Sequence, residues 1–460
     1  MKIVIVGAGK VGTTLAQHLS AESNDISVID WNEKKLLDLQ KRIDIRVVCG
    51  IGSHPDILIK AGIEDADMMV AVTKSDELNI VACQVAHSLF RTETKIARVR
   101  STSYTSKKYR SRLFHDDNFP VDFFISPEKV VTDYICRLIA RPGALQVVDY
   151  AHGLAQLVAV KVAQGGPLLG KELRVLGEHM PKADARVAAI FRKDRSIIPE
   201  GDTLIEEDDE VFFIAAKKNI RKVMEELGRL DNPYRRIIIA GGGNIGFQVA
   251  KSLEEDLSVK IIEYSEERCE FISEHLNNTI VLHGSAADQE ILLQENIDKT
   301  DVFLALTNDD EVNIMSSLLA KRLGVRSVMT LINNPVYANL IQGGEIDIAI
   351  SPQQATTSTL LAHVRRGDTV SANSLRRGAA EAMEIVIHGD YSSSKVVGRT
   401  ISEIKSPKGV TVAALVRDEE VIIAHHDTVI KSNDHAIIFV VDKEKTREVE
   451  RLFSVGLNFF

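Results

Sequence analysis

Short apolar runs alternate with amphipathic stretches through the first part of the chain. The run KIVIV opens the sequence, and SVID, VVCG, MMVAV, KIARV and FFIS follow it with helical stretches between them. Brief apolar runs bounded by turn residues are typical of buried strands, and their alternation with helices indicates a parallel sheet. The pattern therefore predicts an α/β fold with a Rossmann-like, doubly wound parallel sheet.

A second, strand-rich pattern follows that sheet. LVAVKV, ARVAAIFR and EVFFIAA lie close together and are followed by a helical stretch, KKNIRKVMEEL. The intervening segment PEKVVTDYICRLIARPG is predicted to be a helix that ends at Pro142-Gly143. This part predicts a small α+β unit.

The whole arrangement occurs twice. The segment AVTKSDELN corresponds to ALTNDDEVN 234 positions later. The same separation relates two glycine triplets, Gly7, Gly9, Gly12 and Gly241, Gly243, Gly246. A repeat of this length predicts a duplicated two-unit module. The predicted units are 1–123 and 232–348 (Rossmann-like) and 143–227 and 368–453 (small α+β).

The first copy has about eight additional residues between Tyr104 and Asp122. They include a basic stretch, 106–112, with Lys107, Lys108, Arg110 and Arg112. We expect a surface loop here, which is either simply solvated or a docking patch for a partner.

The glycine triplet of the first copy stands in a strand–turn–helix context. Gly7 permits a tight turn, Gly9 lets the backbone approach a pyrophosphate, and Gly12 lets the helix pack on the strand. The helix N-terminus offers free N–H groups to phosphates. Asp30 ends the second strand, where its carboxylate would accept hydrogen bonds from a ribose and repel a 2′-phosphate, which favours NAD(H) over NADP(H). The alternative is a glycine turn that binds nothing.

The second copy keeps the glycines and has Glu263 in the place of Asp30. It lacks two arginines, because Arg98 and Arg100 correspond to Leu331 and Asn333. If these arginines face the ligand cleft, the first site binds a polyphosphate nucleotide more tightly. If they are only surface charge, that difference disappears.

Thr73 and Lys74 follow the fourth strand at its carboxyl end. Ligands of doubly wound sheets lie across these ends, so we expect both residues to contact the nucleotide. Thr307 and Asn308 hold the same places in the second copy. The DELN sequence that follows Ser75 is interpreted as a helix cap with acids in its first turn.

Composition narrows the class of protein. A length of 460 residues suggests two to four domains, and a net charge of −9 argues against nucleic acid as the main partner. The four cysteines have no metal-binding spacing, which favours small buried side chains in a reducing compartment and no metal site. No apolar run approaches the roughly 18 residues that cross a bilayer, so we expect a cytoplasmic protein.

Catalytic chemistry is not evident. Neither copy repeats a paired catalytic arrangement beside the nucleotide unit, so we predict a sensor without catalytic residues. The acidic run IEEDDEV corresponds to IKSNDHA, and the mismatch favours a solvated turn over a shared metal site. Two alternatives stay open, an NAD-dependent oxidoreductase and a redox-sensing DNA-binding regulator, although no basic recognition helix is visible.

The tandem motifs GAGKVG and GGGNIG, the acids Asp30 and Glu263, and AVTKSDELN resemble those of the RCK (regulator of potassium conductance) proteins. The resemblance covers essentially the whole chain. It implies RCK N-units and C-units in a homo-oligomeric ring on the cytoplasmic face of the inner membrane, gating a separate Trk-type potassium-translocating protein in response to NAD(H) or ATP/ADP. By this resemblance the NAD contacts fall on Gly7, Ala8, Gly9, Lys10, Val11, Asp30, Thr73, Lys74 and Arg98.

Overall fold

The computed structural model describes residues 1–22, 24–115, 118–176, 184–193, 195–229, 231–341, 344–364, 369–442 and 445–454. The chain forms two compact units. Unit 1 comprises 1–131 with 352–364, and unit 2 comprises the described residues of 132–351 and 365–460.

Unit 1 is built on a six-stranded parallel sheet in the order β3-β2-β1-β4-β5-β6. Its strands are β1 Lys2–Val6, β2 Asp25–Asp30, β3 Arg46–Cys49, β4 Met68–Ala71, β5 Thr94–Arg98 and β6 Phe123–Ile125. The strand order reverses direction between β1 and β4, which is the place where doubly wound sheets bind ligands. The predicted Rossmann-like fold is confirmed.

Helices cover both faces of this sheet. They are α1 Lys10–Ala21, α2 Glu33–Gln40, α3 Pro55–Lys60, α4 Asp76–Phe90, α5 Thr102–Thr105 and α6 Lys107–Leu113, with a 3₁₀ turn at Ile63–Asp65. The next helix along the chain is α7 Pro127–Ile139, whose residues from Thr132 onward belong to unit 2. The predicted loop at 106–112 is wrong, since Lys107–Leu113 form α6 and only Ser106 lies outside the helix. The segment contains no glycine or proline, and the Arg110 guanidinium lies 4.2 Å from the centre of the Phe124 ring, which holds α6 against the sheet.

Unit 2 begins with an antiparallel sheet in the order β10-β9-β11-β8-β7. Its elements are β7 Ala144–Tyr150, β8 Ala155–Lys161, β9 Ala185–Arg192, β10 Arg195–Ile197, β11 Glu210–Ala216 and α8 Ile220–Glu226, with 3₁₀ turns at Ala151–Gly153 and Leu173–Val175. The strands β7 and β10 were not predicted. The acidic run is not simply a solvated turn either, because Asp209 within it is fully buried against Arg192.

The second parallel sheet repeats the first, in the order β14-β13-β12-β15-β16-β17. Its strands are β12 Arg236–Ala240, β13 Ser258–Glu263, β14 Ile280–His283, β15 Val302–Ala305, β16 Ser327–Leu331 and β17 Ile348–Ile350. Its helices are α9 Asn244–Leu253, α10 Glu266–His275, α11 Gln289–Gln294, α12 Asp310–Arg322 and α13 Pro335–Leu340, with a 3₁₀ turn at Ile297–Lys299.

The next helix, α14 Pro352–Val364, follows the second sheet in the chain but belongs to unit 1. Leu360, Leu361 and Val364 share a core with Leu15 of α1. The sequence pattern alone did not predict that α14 packs in unit 1, because it does not show which apolar surface covers the helix.

A second antiparallel sheet completes unit 2 in the order β18-β19-β22-β20-β21. Its elements are β18 Thr369–Leu375, β19 Ala380–Val386, β20 Val410–Arg417, β21 Glu420–Ile423, β22 His435–Val440 and α15 Thr446–Phe453, with a 3₁₀ turn at Arg376–Gly378. It shares one apolar core with the first antiparallel sheet, and the Tyr150 hydroxyl donates to the Ala382 carbonyl at 3.2 Å across that core.

Candidate functional site

The glycine turn of unit 1 lies at the carboxyl end of β1. Gly7 has φ 112°, a conformation that side chains disfavour, and a Cβ at Gly12 would lie 1.9 Å from the Gly7 carbonyl oxygen. Gly9 differs from both, because its φ is −77° and a Cβ there would meet nothing within 4 Å. Gly7 and Gly12 are therefore needed for the fold, whereas Gly9 borders open space.

The first residues of α1 complete this turn. Lys10 is exposed, and Val11 packs its side chain against the apolar core, leaving only its backbone for a ligand. The α1 N-terminus has no side-chain cap, so no capping side chain competes with a ligand for the N–H groups of its first turn.

Asp30 braces the turn from the neighbouring strand. Its Oδ2 accepts the Ala8 N–H at 2.7 Å and its Oδ1 accepts the Asn32 N–H at 2.9 Å. A carboxylate has about four lone-pair sites, so each oxygen can accept one more hydrogen bond. Asp30 thus shapes the turn and keeps capacity for hydroxyl groups beside it.

Asn79 is a residue whose role the sequence analysis missed. It is fully buried, and its Oδ1 accepts both the N–H and the hydroxyl of Thr73, at 2.9 and 2.7 Å. Its Nδ2 donates to the Arg98 carbonyl at 2.9 Å, so it joins the ends of β4 and β5. The available signal was its identity with Asn313 in the second copy.

The DELN sequence begins α4 with two acids in its first turn, as predicted, but the capping side chain is the residue before it. Ser75 caps α4 by accepting the Leu78 N–H at 3.1 Å, and the acid after it has a different role. Asp76 is buried, and its Oδ2 accepts the N–H groups of Arg100 and Ser101 at 2.9 and 2.8 Å. It therefore holds the segment that follows β5 at the carboxyl edge.

Arg98, which ends β5, and Arg100, which follows it, lie at this edge but are engaged by protein groups. Arg98 is half-buried, 3.6 Å from the Glu128 carboxylate. Burial lowers the pKa of Arg98, and the charge of Glu128 opposes that shift. Arg100 donates to the carbonyl of Lys74, whose own side chain is exposed.

The second copy reproduces the turn. Gly241 has φ 99°, and a Cβ at Gly246 would lie 2.0 Å from the Gly241 carbonyl oxygen. A Cβ at Gly243 would meet nothing within 4 Å, as at Gly9. Glu263 accepts the Gly242 N–H at 2.6 Å, which matches the bond from Ala8 to Asp30. The longer acid therefore fills the same role.

The edge of the second sheet differs in charge. Leu331 is buried, and the Asn333 side chain donates to Asp310 at 3.1 Å. Arg268 is a cation beside this turn: its Nε donates to the Gly242 carbonyl at 2.7 Å, and its guanidinium lies 4.5 Å from the centre of the Phe271 ring. The two turns are alike in backbone geometry and unlike in electrostatics.

An exposed aromatic residue follows the acid in each copy. Trp31 is 75% exposed and Tyr264 is 79% exposed, although large aromatic side chains are usually covered. The sequence analysis did not single them out; the signal was an aromatic residue directly after the acid in both copies.

Other site types find no support in the described part of the chain. Within it, no group of three or more histidine, cysteine, aspartate or glutamate side chains could hold a metal ion. No described helix has the length and apolar character needed to cross a membrane. Of the four cysteines only Cys83 is buried, so the expectation of buried cysteines is wrong for Cys49, which is exposed.

Comparison with known proteins places both copies in families. The TrkA-N domain family matches residues 3–117 and 237–352, and the TrkA-C domain family matches 157–228 and 390–454. The Trk system potassium uptake protein TrkA of Halomonas elongata is 60% identical over 460 residues, covering 100% of each chain. The proteins of the same name from Vibrio alginolyticus and Haemophilus influenzae are 58% and 50% identical, covering 98% and 100% of each chain.

Solved structures show the same fold at low identity. The GsuK RCK domain superposes with a TM-score of 0.61 at 18% identity, covering 98% of this chain and 94% of that one. A GsuK channel bound to NAD has the same TM-score and identity, covering 98% of this chain and 78% of that one.

Proposed function

The chain belongs to the TrkA family, and on that premise we propose that it is the nucleotide-binding regulatory subunit of a potassium uptake system. It gates a Trk-type potassium-translocating membrane protein through nucleotide-dependent changes in conformation. The observation that carries this proposal is the glycine turn with its bracing acid, built twice at the carboxyl edge of a doubly wound sheet. The relatives are named for potassium uptake, which bears out the expectation that the chain is not an enzyme.

NAD(H) is the proposed ligand, and ADP and ATP, which carry the same adenosine and phosphate groups, are the alternatives. Phosphates would meet the backbone of the glycine turn and the N-terminus of α1 or α9. The proposed contacts are Gly7, Ala8, Gly9, Lys10, Val11, Gly12, Asp30, Thr73, Lys74 and Arg98 in the first copy and Gly241, Gly243, Gly246 and Glu263 in the second.

The residues beside the turn favour an adenosine group. Asp30 has unused acceptor capacity for ribose hydroxyls, and its charge would repel a 2′-phosphate. Trp31 offers an exposed ring next to that carboxylate, on which an adenine could stack. The second copy combines Glu263 with Tyr264 in the same way.

A contact between α14 and α1 could couple nucleotide binding to a change in conformation. The Gln353 side chain of α14 donates to the Lys10 carbonyl at 3.2 Å and to the Thr14 hydroxyl. Both acceptors lie in the first turns of α1, beside the proposed phosphate site. A nucleotide changes the equilibrium between two conformations only if it binds one of them better, and this contact is a place where that difference can arise.

Assembly and docking follow from the family. We propose a homo-oligomeric ring of RCK units, peripheral on the cytoplasmic face of the inner membrane, with α6 contributing to the docking surface. Lys108, Arg110 and Arg112 of α6 are exposed cations there. Docking by α6 would be refuted if Lys107→Glu/Lys108→Glu left membrane association at the wild-type level.

Trp31 supplies a direct binding test because it is the single tryptophan of the chain and borders the first turn. We expect NADH, NAD, ADP or ATP to change its fluorescence. Gly9→Val should abolish that change, since the new side chain fits the backbone but fills the space beside the turn. Gly243→Val is the matched control, because it places the same side chain at the second turn and should leave the Trp31 signal intact.

Potassium uptake tests the biological role. In cells that lack the gene and other potassium uptake systems, we expect poor uptake at low external potassium, rescue by the wild type and failure of Gly9→Val. Asp30→Ala is less informative, because it also removes the bond to Ala8. Normal uptake without the gene would refute the transport role and revive the oxidoreductase alternative, whereas full rescue by Gly9→Val would refute only the nucleotide dependence.

A further inference from the structure

A basic cavity lies at the amino-terminal edge of the second parallel sheet, opposite the glycine turn. Its volume is about 300 Å³, and Arg236, Ser258, Lys260, Glu295 and Lys299 are among its lining residues. Strand β12 rises roughly 3.3 Å per residue, so Gly241 of the turn lies about 16 Å along the strand from Arg236 and about 10 Å from Ile238, the lining residue nearest to it on β12. A ligand in the cavity would not compete for space with a nucleotide at the turn.

The sheet register brings the basic side chains together. Arg236 pairs with Ser258 and Ile238 pairs with Lys260 across β12 and β13. Because alternate residues of a strand share a face, these four residues lie on one face of the sheet. Lys299 reaches the same cavity from the 3₁₀ turn that follows α11.

Only one of the three cations is neutralised. Lys260 Nζ lies 2.7 Å from the Glu295 carboxylate. Within the described ranges, the side chains of Arg236 and Lys299 have no hydrogen-bond or ion-pair partner. Both side chains are exposed at one cavity, so their positive charges attract an anion that enters it.

Asp301 does not neutralise them. Its Oδ2 accepts the backbone N–H groups of Arg235 and Arg236 at 2.7 and 2.9 Å, and its Oδ1 lies 3.8 Å from the guanidinium of Arg326. Its charge is therefore already satisfied by other groups.

The first copy provides an internal comparison, because a cation occupies only one of the three equivalent positions there, Lys2 in the place of Arg236. Asp25 pairs with Lys2 as Ser258 pairs with Arg236, and Ser27 stands where Lys260 is. Asp65, at the end of the equivalent 3₁₀ turn, replaces Lys299 and forms an ion pair with Lys2 at 3.4 Å. The cation Lys2 of the first copy is therefore paired with an acid, whereas the equivalent Arg236 of the second copy lies beside Lys299 and Lys260.

We propose that this cavity binds a small phosphate-bearing anion. The guanidinium of Arg236 can make two parallel hydrogen bonds to phosphate oxygens, Lys299 can add a point charge, and Ser258 can donate a neutral hydrogen bond. A volume of about 300 Å³ is at the small end of ligand pockets, which suits a phosphate or pyrophosphate group. The phosphate belongs either to a soluble metabolite or to a lipid headgroup.

Calorimetric titration of the full chain with pyrophosphate tests the site. Gly9→Val/Gly243→Val serves as the background, so that binding at the glycine turns does not contribute. We expect binding to persist in this background, and to weaken at least about tenfold when Arg236→Gln or Lys299→Asp removes a charge-assisted contact. Lys2→Gln is the matched control at the equivalent edge of the first copy and should leave binding unchanged.

Flotation with vesicles of phosphatidylcholine, with and without phosphatidylglycerol, distinguishes the sources of phosphate. Vesicle binding that needs phosphatidylglycerol and is lost in Lys299→Asp assigns the site to a membrane headgroup. Pyrophosphate binding without vesicle binding assigns it to a soluble phosphate compound. Failure of both probes to bind, or binding that is equal in wild type, Arg236→Gln and Lys299→Asp, would overturn the proposal.

Discussion

The guanidinium of Arg417 donates two hydrogen bonds, each 2.7 Å long, to the carboxylate of Asp434, which is fully buried. The first antiparallel sheet contains the same pair, with Arg192 bound to Asp209 at 2.8 and 2.9 Å. These hydrogen bonds raise the pKa of both arginines, so both guanidinium groups stay charged.

Removing one member of such a pair should destabilise unit 2 strongly. In Arg417→Met the buried Asp434 loses its counter-charge, and we expect a loss of about 3–5 kcal/mol in the free energy of unfolding, measured by urea denaturation. The double variant Arg417→Met/Asp434→Leu is the control and should recover part of that loss, since no buried charge remains. A single variant as stable as the wild type would contradict this account.

Asn79 should be needed for both stability and ligand binding in unit 1. Asn79→Ala removes the acceptor for Thr73 and the donor to the Arg98 carbonyl, and we expect a loss of about 3 kcal/mol. Trp31 fluorescence during denaturation reports the change. Asn313→Ala alters the equivalent clamp of the second copy and should leave the Trp31 transition unchanged; an equal shift in both variants would show that the reporter is not local.

Substitution by alanine should destabilise the protein much more at Gly12 than at Gly9. Gly12→Ala should cost at least about 2 kcal/mol, because its Cβ would overlap the Gly7 carbonyl oxygen. Gly9→Ala should cost less than about 1 kcal/mol, the loss expected for a poorer helix cap. Thermal unfolding measures both, and similar midpoints for the two variants would contradict the geometry of the turn.

The packing of α14 should weaken in mild acid. Burial lowers the pKa of His363, whose ring stacks on Phe123 with centroids 4.2 Å apart, below its ordinary value of about 6.5. The unfolded chain therefore binds the proton first, and stability present above about pH 6.5 is lost as the pH falls through that value toward the folded-state pKa. We expect His363→Phe to flatten the dependence of the unfolding midpoint between about pH 7.5 and 5.5.

Charge at the first turn should set nucleotide affinity. Arg98→Leu/Arg100→Asn gives the first copy the residues of the second, and we expect weaker binding of ADP and ATP, with a smaller dependence on salt. The readout is the Trp31 titration at two ionic strengths. Unchanged affinity would mean that both arginines are fully occupied by Glu128 and the Lys74 carbonyl.

Sequence pattern by itself determined the duplication, the two parallel sheets and the glycine turns. These features are local: a buried strand needs consecutive apolar residues, and a turn needs glycine where φ is positive or where a Cβ would collide. The sequence also placed Asp30 and Glu263 beside the turns, because each acid ends the apolar run of a strand that is predicted to lie next to the strand before the turn.

Tertiary structure alone decided which distant polar groups meet. In the sequence Asp209 is one of several acids in a run that was predicted to be solvated. Only the position of β9 in the sheet brings Arg192 within 2.8 Å of it. Helix α14 follows the second sheet in the chain, yet it buries its apolar face against α1. Burial and ion pairing are properties of three-dimensional neighbours, so a one-dimensional pattern of apolar and polar residues does not contain them.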